Sequence, residues 1–412
     1  MKADVTVIGS GPAGLVAALH AARGGARNVL LLEREEELGG ILKQCIHNGF
    51  GLEHLKKDYT GPEYAERLIE EVEKANIRCF LNTMVTGLSP DRTITAVNSV
   101  EGVFQIESTS VVLAMGCRER TRGSIGIPGT RPAGVYTAGV AQRFVNIDGY
   151  LPGREVVILG SGDIGLIMAR RLTLEGAQVK GVYELMSYPG GLKRNIVQCL
   201  NDFDITLHLS HTVTEILGRE RVEGVMVSRV DGEMQPFKGS EELITCDTLL
   251  LSVGLIPENE LSKGAGIELG RTTQGPVTAE TMETSVPGVF SCGNVSTVFD
   301  LVDYVAQTGI TAGRNAARFA AGTFEKDKRS VDVLPGENVR LLFPQRYGFQ
   351  EDLILFIRAM KPVERPVVIG ISPLDMRVKR PFARPNEMIR VKVPKERLKD
   401  VSGSIEVNIT ES

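Results

Sequence analysis

One structural phrase occurs twice in this chain and leaves few folds open to it. A short β-type run leads into a turn with three glycines, then a helical stretch, a second β-type run and an acid. The first copy runs from residues 4–8 into Gly9-Ser10-Gly11-Pro12-Ala13-Gly14, an Ala-rich helix, and a strand over 28–32 that ends at Glu33. The second runs from 155–159 into Gly160-Ser161-Gly162-Asp163-Ile164-Gly165, a helix to Glu175, and a strand over 179–183 that ends at Glu184. The spacings agree: 33 − 14 = 19 and 184 − 165 = 19. In such a turn the first glycine permits a tight bend, the second lets the backbone approach a pyrophosphate, and the third lets the helix pack on the strand. Unpaired N–H groups and the positive end of the helix dipole then face the anion, and the acid accepts hydrogen bonds from ribose hydroxyls. A lone glycine motif says little. Two of them, each in strand–helix context with an acid about 20 residues on, predict two dinucleotide sites.

The rest of the chain is consistent with that frame. At 412 residues there is room for two or three domains. A helical stretch over 62–75 and strand-like runs near 78–81 and 111–114 complete a first unit, 1–122. The Gly- and Pro-rich stretch 123–134 reads as a crossover into a second unit, 123–245. Strand-and-turn patterning resumes over 246–322 and ends in a helix near 301–321, a return to the first domain. Short runs at 339–343, 353–357, 367–371, 389–393 and 405–409 then predict a small β-rich domain over 323–412. There, Ile389, Val391 and Val393 alternate with Arg390 and Lys392, so one face of that strand is expected to be buried and the other wet. The expected class is α/β: two Rossmann-like dinucleotide-binding domains, the first split in sequence, plus a small C-terminal β-rich domain.

With 24% charged residues and a net charge of −4, nucleic acid is not an expected partner. Lys2 leads directly into a short apolar segment and glycines, so no secretory leader is expected, and no apolar run approaches the roughly 20 residues of a membrane span. The six cysteines (45, 79, 117, 199, 246, 292) are scattered without C-x-x-C or metal-type spacing, which suits a reducing cytoplasm and predicts no metal site.

Over residues 1–322 the chain resembles the two-dinucleotide-domain flavoproteins, which include thioredoxin reductases and disulfide reductases. The apolar-run-plus-glycine motif of that group is matched by Val111-Val112-Leu113-Ala114-Met115-Gly116 and again over 249–254. Its late motif, usually T-S-x-P-G-V-F-x-x-G-D, is matched by Thr284-Ser285-Val286-Pro287-Gly288-Val289-Phe290-Ser291-Cys292-Gly293-Asn294, with Asn294 in place of the usual Asp. The resemblance implies that the first copy holds FAD, through Gly9 to Gly14, Glu33, Arg34, Gly40, Val85, Gly116, Gly293 and Asn294. A helix starting at Leu301 and Val302 is implied to aim its N-terminus at the flavin pyrimidine ring. The second copy is implied to hold NAD, through Gly160 to Gly165, Glu184 and Gly254. Glu184 would repel the 2′-phosphate of NADP, and residues 183–186 supply no arginine to hold it, although Arg170 or Arg171 could reach in.

Thioredoxin reductases carry C-x-x-C where this chain reads Gly134-Val135-Tyr136-Thr137-Ala138-Gly139-Val140, and glutathione-reductase relatives carry two cysteines where only Cys45 follows Gly39-Gly40. Disulfide reduction by paired thiols is therefore not expected. The phrases Gly39-Gly40-Ile41-Leu42-Lys43-Gln44-Cys45-Ile46-His47-Asn48-Gly49-Phe50-Gly51 and Gly116-Cys117-Arg118-Glu119-Arg120 are similar to the FAD/NAD-linked subunits that accompany glycerol-3-phosphate, proline, opine and sarcosine-type dehydrogenases. That resemblance implies hydride transfer between NADH and FAD, a partner flavoprotein dehydrogenase subunit, and any iron–sulfur centre on another polypeptide, since no cysteine follows Cys292.

Two other functions stay open on the residues: a stand-alone NADH oxidase or peroxidase using Cys45, and a nucleotide-bound scaffold working through its C-terminal domain. Cys45 and His47 are the candidate catalytic side chains, each also readable as ordinary packing. His208 and His211 read as surface residues beside a polar turn. Arg118 and Arg120 either bridge charges or solvate a linker. The C-terminal domain either closes its own core or joins a subunit interface, and its basic residues Arg377, Lys379, Arg380 and Arg384 are compatible with an acidic partner.

Overall fold

The computed structural model describes residues 1–325, 327 and 329–412. They form two compact units, one made of Met1–Cys117 with Pro257–Ser412 and the other of Arg118–Ile256. The second unit therefore holds the strand Thr248–Leu251, which the sequence pattern assigned to the returning segment. That strand is fully buried between Val135–Thr137 and Glu155–Leu159, and pairing between distant segments fixed its place.

In the first unit, Lys2–Ile8 is central to a seven-stranded sheet ordered Arg78–Phe80, Val29–Leu32, Lys2–Ile8, Gly102–Leu113, Thr93–Asn98, Met84–Leu88. The first four strands run parallel, and Val29–Leu32 is buried throughout, as a strand covered on both faces must be. Gly102–Leu113 divides its pairing. Its start is antiparallel to Thr93–Asn98, and its end is parallel to Val289–Ser291. One face of the sheet is covered by the helix Pro12–Arg23 and the 19-residue helix Val302–Ala320.

The second unit has an all-parallel five-stranded sheet and a three-stranded antiparallel sheet, His211–Leu217, Gly224–Arg229 and Glu242–Thr245. His208 and His211 are half-buried, not simply surface residues beside a turn. Leu207–Leu209 joins the parallel sheet and places His208 opposite Tyr183, with the rings stacked at 4.6 Å, and burial lowers the His208 pKa.

Residues beyond the long helix build two more sheets, of five and three strands. Ile389, Val391 and Val393 are buried while Arg390 and Lys392 are exposed. The middle strand of the smaller sheet, Leu353–Ala359, is apolar on both faces. Leu353, Leu355 and Ile357 join the core of the two sheets, whereas Phe356 packs on Phe299 and Tyr304 of the first unit, and Ile354 lies against the same cluster. This region thus shares a core with the first unit. Its basic stretch is partly neutralised from within, since Arg384 pairs with Glu364 (2.7 Å) and Glu387 (2.9 Å). Among the described residues no helix is long and apolar enough to cross a membrane.

Candidate functional site

Both glycine turns are sterically obligatory. Gly9 has φ +97°, and a Cβ on it would lie 2.6 Å from the Ala114 carbonyl oxygen; on Gly14 it would lie 1.8 Å from the Gly9 oxygen. A Cβ added to Gly11 would meet nothing within 4 Å, so that side of the turn is open bare backbone. In the second unit a Cβ on Gly160 (φ +92°) would lie 2.2 Å from the Ser252 oxygen, and one on Gly165 would lie 2.7 Å from Ser252 Cβ. The helices that follow, Pro12–Arg23 and Asp163–Leu174, start at Gly11 and Gly162 without a side-chain cap, so their first N–H groups remain available to an anion.

The acids are wired alike. Glu33 Oε2 accepts from Ser10 N (2.8 Å) and Ser10 Oγ (2.5 Å), and its Oε1 accepts from Glu35 N (3.0 Å). Glu184 Oε2 accepts from Ser161 N (2.9 Å) and Ser161 Oγ (2.6 Å), and its Oε1 accepts from Met186 N (2.9 Å). Both side chains are buried, and each retains one of a carboxylate's roughly four acceptor positions. The duplication extends beyond the turn and its acid. Gly39-Gly40 and Gly190-Gly191 follow their acids at equal distance (39 − 33 = 6, 190 − 184 = 6) and fold back on the turns, Gly39 N donating to Ser10 O (3.1 Å) and Gly190 N to Ser161 Oγ (2.7 Å).

The remaining residues expected at the first site fall around it unevenly. A Cβ on Gly40 would meet Gly11 Cα at 3.0 Å, and Gly116 (φ +73°) faces open space. Thr83 N donates to the Glu33 carbonyl (2.8 Å), and Val85, two residues on, is buried in the core of the sheet. Arg34 is exposed and turns to Glu35 at 3.5 Å. A Cβ on Gly293 would stand 2.7 Å from Ala13 Cβ, and its N–H donates to Thr308 Oγ1 (2.9 Å). The Asn294 Oδ1 accepts from Phe299 N (3.1 Å) while Nδ2 donates to Cys117 Sγ (3.7 Å), a donation that Asp could not make. Leu301 precedes the helix Val302–Ala320 without capping it through a side chain. Gly309 and Gly313, which no sequence motif marked, bring that helix onto Pro12–Arg23: Cβ atoms there would lie 2.6 and 2.1 Å from the Ala13 and Ala17 oxygens. Their four-residue spacing was the available signal.

At the second site, Asp163 Oδ1 accepts from Leu192 N (2.8 Å) and Asn195 Nδ2 (2.6 Å) and so anchors the loop after the acid, while Ile164 packs into the core. Gly254 (φ +103°) accepts at its carbonyl from Arg120 N (3.0 Å). Arg171 pairs with Glu175 (2.6 Å) and Arg170 lies over the Phe203 ring (5.7 Å), so both are engaged elsewhere. Where thioredoxin reductases carry their dithiol, the short helix Ala138–Arg143 has Gly139 N donating to both Glu119 carboxylate oxygens at 2.9 Å.

Cys45 ends the short helical turn Gly40–Gln44, with Sγ 3.3 Å from the Ile41 carbonyl, and burial pushes its pKa up to about 12. His47 is held through Nδ1 by the Asn48 carbonyl (2.9 Å). A thiol kept protonated at neutral pH is a poor nucleophile. Cys45→Ser is accordingly expected to leave NADH-driven dye reduction within about twofold of wild type in a steady-state assay; a loss above about tenfold would reinstate the thiol.

Two amide-lined cradles, each completed by a buried carboxylate, define a flavin- and nicotinamide-dependent oxidoreductase. The chain belongs to the pyridine nucleotide-disulphide oxidoreductase family, whose profile matches residues 3–318, and its cofactors are FAD and NAD(P)H. It is 27% identical to the hydrogen cyanide synthase subunit HcnB of Pseudomonas protegens, over 91% of this chain and 80% of that one. It is 28% identical to an opine oxidase subunit of Rhizobium meliloti over 76% of this chain, spanning 61% of that protein, less than two thirds of its length. Thioredoxin reductase of T. acidophilum shares the fold, with TM-score 0.63 and 24% identity over 79% of this chain and 99% of that one.

Proposed function

We propose that this chain is an FAD-dependent NADH oxidoreductase serving as the electron-transfer subunit of a hetero-oligomeric dehydrogenase. The observation that carries the reading is a pair of glycine-turn cradles in a chain without cysteine over 134–140, where thioredoxin reductases carry C-x-x-C; there Gly139 N donates to the Glu119 carboxylate instead. Two relatives, HcnB and the opine oxidase protein, are named as subunits of larger enzymes, which supports a partner dehydrogenase. FAD, when bound, supplies a hydride acceptor that no side chain provides. The protein's share is binding and orientation: Gly9 to Gly14, Glu33, Gly293 and Asn294 for FAD, and Gly160 to Gly165 and Glu184 for the nicotinamide nucleotide. NADH is favoured over NADPH because Glu184 disfavours a 2′-phosphate and Arg170 and Arg171 are held by other partners.

In an anaerobic stopped-flow experiment NADH is expected to bleach the flavin band far faster than NADPH. Glu184→Ala should weaken NADH by about tenfold or more, the worth of a hydrogen bond to a charged group, without changing flavin content. A flavin left oxidised by both nucleotides overturns the oxidoreductase reading. Purification from native cells as a homogeneous, partner-free species overturns the subunit reading.

A further inference from the structure

The segment from Asn294 to the start of the helix Val302–Ala320 is held from the C-terminal sheets by a set of contacts that the nucleotide chemistry does not account for. Asp300, with its side chain 8% exposed, receives Arg358 Nη2 at Oδ1 and Met388 N at Oδ2 (2.5 Å). The same guanidinium donates to the carbonyls of Val298 (3.2 Å) and Pro385 (3.2 Å). Phe299, between them, sets its ring 5.1 Å from Phe356 and 5.8 Å from Phe343 while its N–H donates to Asn294 Oδ1 (3.1 Å). One helical turn on, Tyr304 packs on Phe356 (5.3 Å) beneath Arg390, which also pairs with Glu53 (2.8 Å).

We propose that the C-terminal β-rich region is a positioning element of the flavin site. Arg358, through Asp300 and Phe299, fixes the Asn294 amide and the first turn of the helix Val302–Ala320, and thereby sets flavin affinity and reduction potential. The inference rests on the reading that Asn294 and that helix start face FAD. Its physical basis is the short range of both effects. A helix dipole acts within its first turn, and one amide orients one hydrogen bond, so a small displacement of this segment changes both. Arg358 and Asp300 act through Phe299 and the start of the helix and are positioning residues.

The test uses the full-length protein as Arg358→Met, Arg358→Lys and Asp300→Asn. It reads the FAD dissociation constant from flavin fluorescence and the midpoint potential from a dye-coupled redox titration, alongside thermal unfolding. Arg358→Met is expected to weaken FAD by about tenfold, with Arg358→Lys recovering most of the loss. If that weakening falls on one redox form only, the potential moves by about 30 mV for a two-electron couple. Should Arg358→Met fail to fold, Asp300→Asn, which keeps the side-chain shape, carries the same two readouts. A lower melting temperature with wild-type flavin affinity and potential overturns the proposal and leaves the NADH–flavin reading standing. A wild-type chain that takes up no FAD overturns both.

Discussion

Gly14→Ala will give a protein without a flavin band. The added Cβ would lie 1.8 Å from the Gly9 carbonyl oxygen, 2.9 Å from its carbon and 3.3 Å from Ala114 Cβ. The first two are backbone atoms of the turn itself, so no rotamer change relieves them, and the helix Pro12–Arg23 must move off the strand. That movement displaces the amides proposed to face the pyrophosphate, and misplacement by about 1 Å costs on the order of a hundredfold in a positioned site. Absorbance near the flavin maximum relative to protein, before and after incubation with FAD, is the measurement. The second copy provides the contrast. Gly165→Ala meets Ser252 Cβ at 2.7 Å and Oγ at 2.8 Å. It is expected to keep its flavin and lose reduction by NADH. A Gly14→Ala protein that purifies yellow with full FAD content would remove the steric account of the first cradle.

Removing residues 323–412 is the second large effect, and it will destroy the flavin protein instead of trimming it. The truncation uncovers Phe299 and Tyr304, which pack on Phe343 and Phe356. Re-exposing such side chains costs about 1.5–3 kcal/mol each. It also leaves Asp300 without Arg358, and stranding one member of a buried pair costs about 3–5 kcal/mol. Glu280, whose pKa burial already raises, loses the amides of Gly348 (2.7 Å) and Gln350 (2.8 Å). Together these losses rival the about 5–15 kcal/mol that holds a whole domain folded. Size-exclusion chromatography and flavin content of the truncated chain decide the matter: a monodisperse, FAD-loaded, NADH-oxidising product would show that the sheets are merely appended.

The cradles are readable from the sequence because their chemistry is local. Turn, helix start and acid lie within about 25 residues of each other, where periodicity and glycine placement speak directly. The Gly39-Gly40 and Gly190-Gly191 pairs are equally local, and their matched spacing was there to be read. What could not be read is non-local. Arg358 is one of many arginines and Asp300 one of many acids, and nothing in either neighbourhood names the other. The one hint was the run Leu353–Ala359, too continuously apolar for a strand with a wet face, which is why the β-rich region is not the free-standing module that its turns and composition imply. The strand Thr248–Leu251 was assigned to the wrong unit for a related reason, since its residues would suit either parallel sheet and only the register with Val135–Thr137 and Glu155–Leu159 decides.

The paired serine–glutamate latches have a thermodynamic corollary. Ser10 with Glu33, and Ser161 with Glu184, are joined in the folded chain, so on the proposed reading the rotamers offered to each ribose are frozen before any nucleotide arrives. Immobilising such a side chain on association costs about 0.5–1.5 kcal/mol, and here that loss of freedom falls on folding. On that reading each affinity gains by the same amount with no added contact.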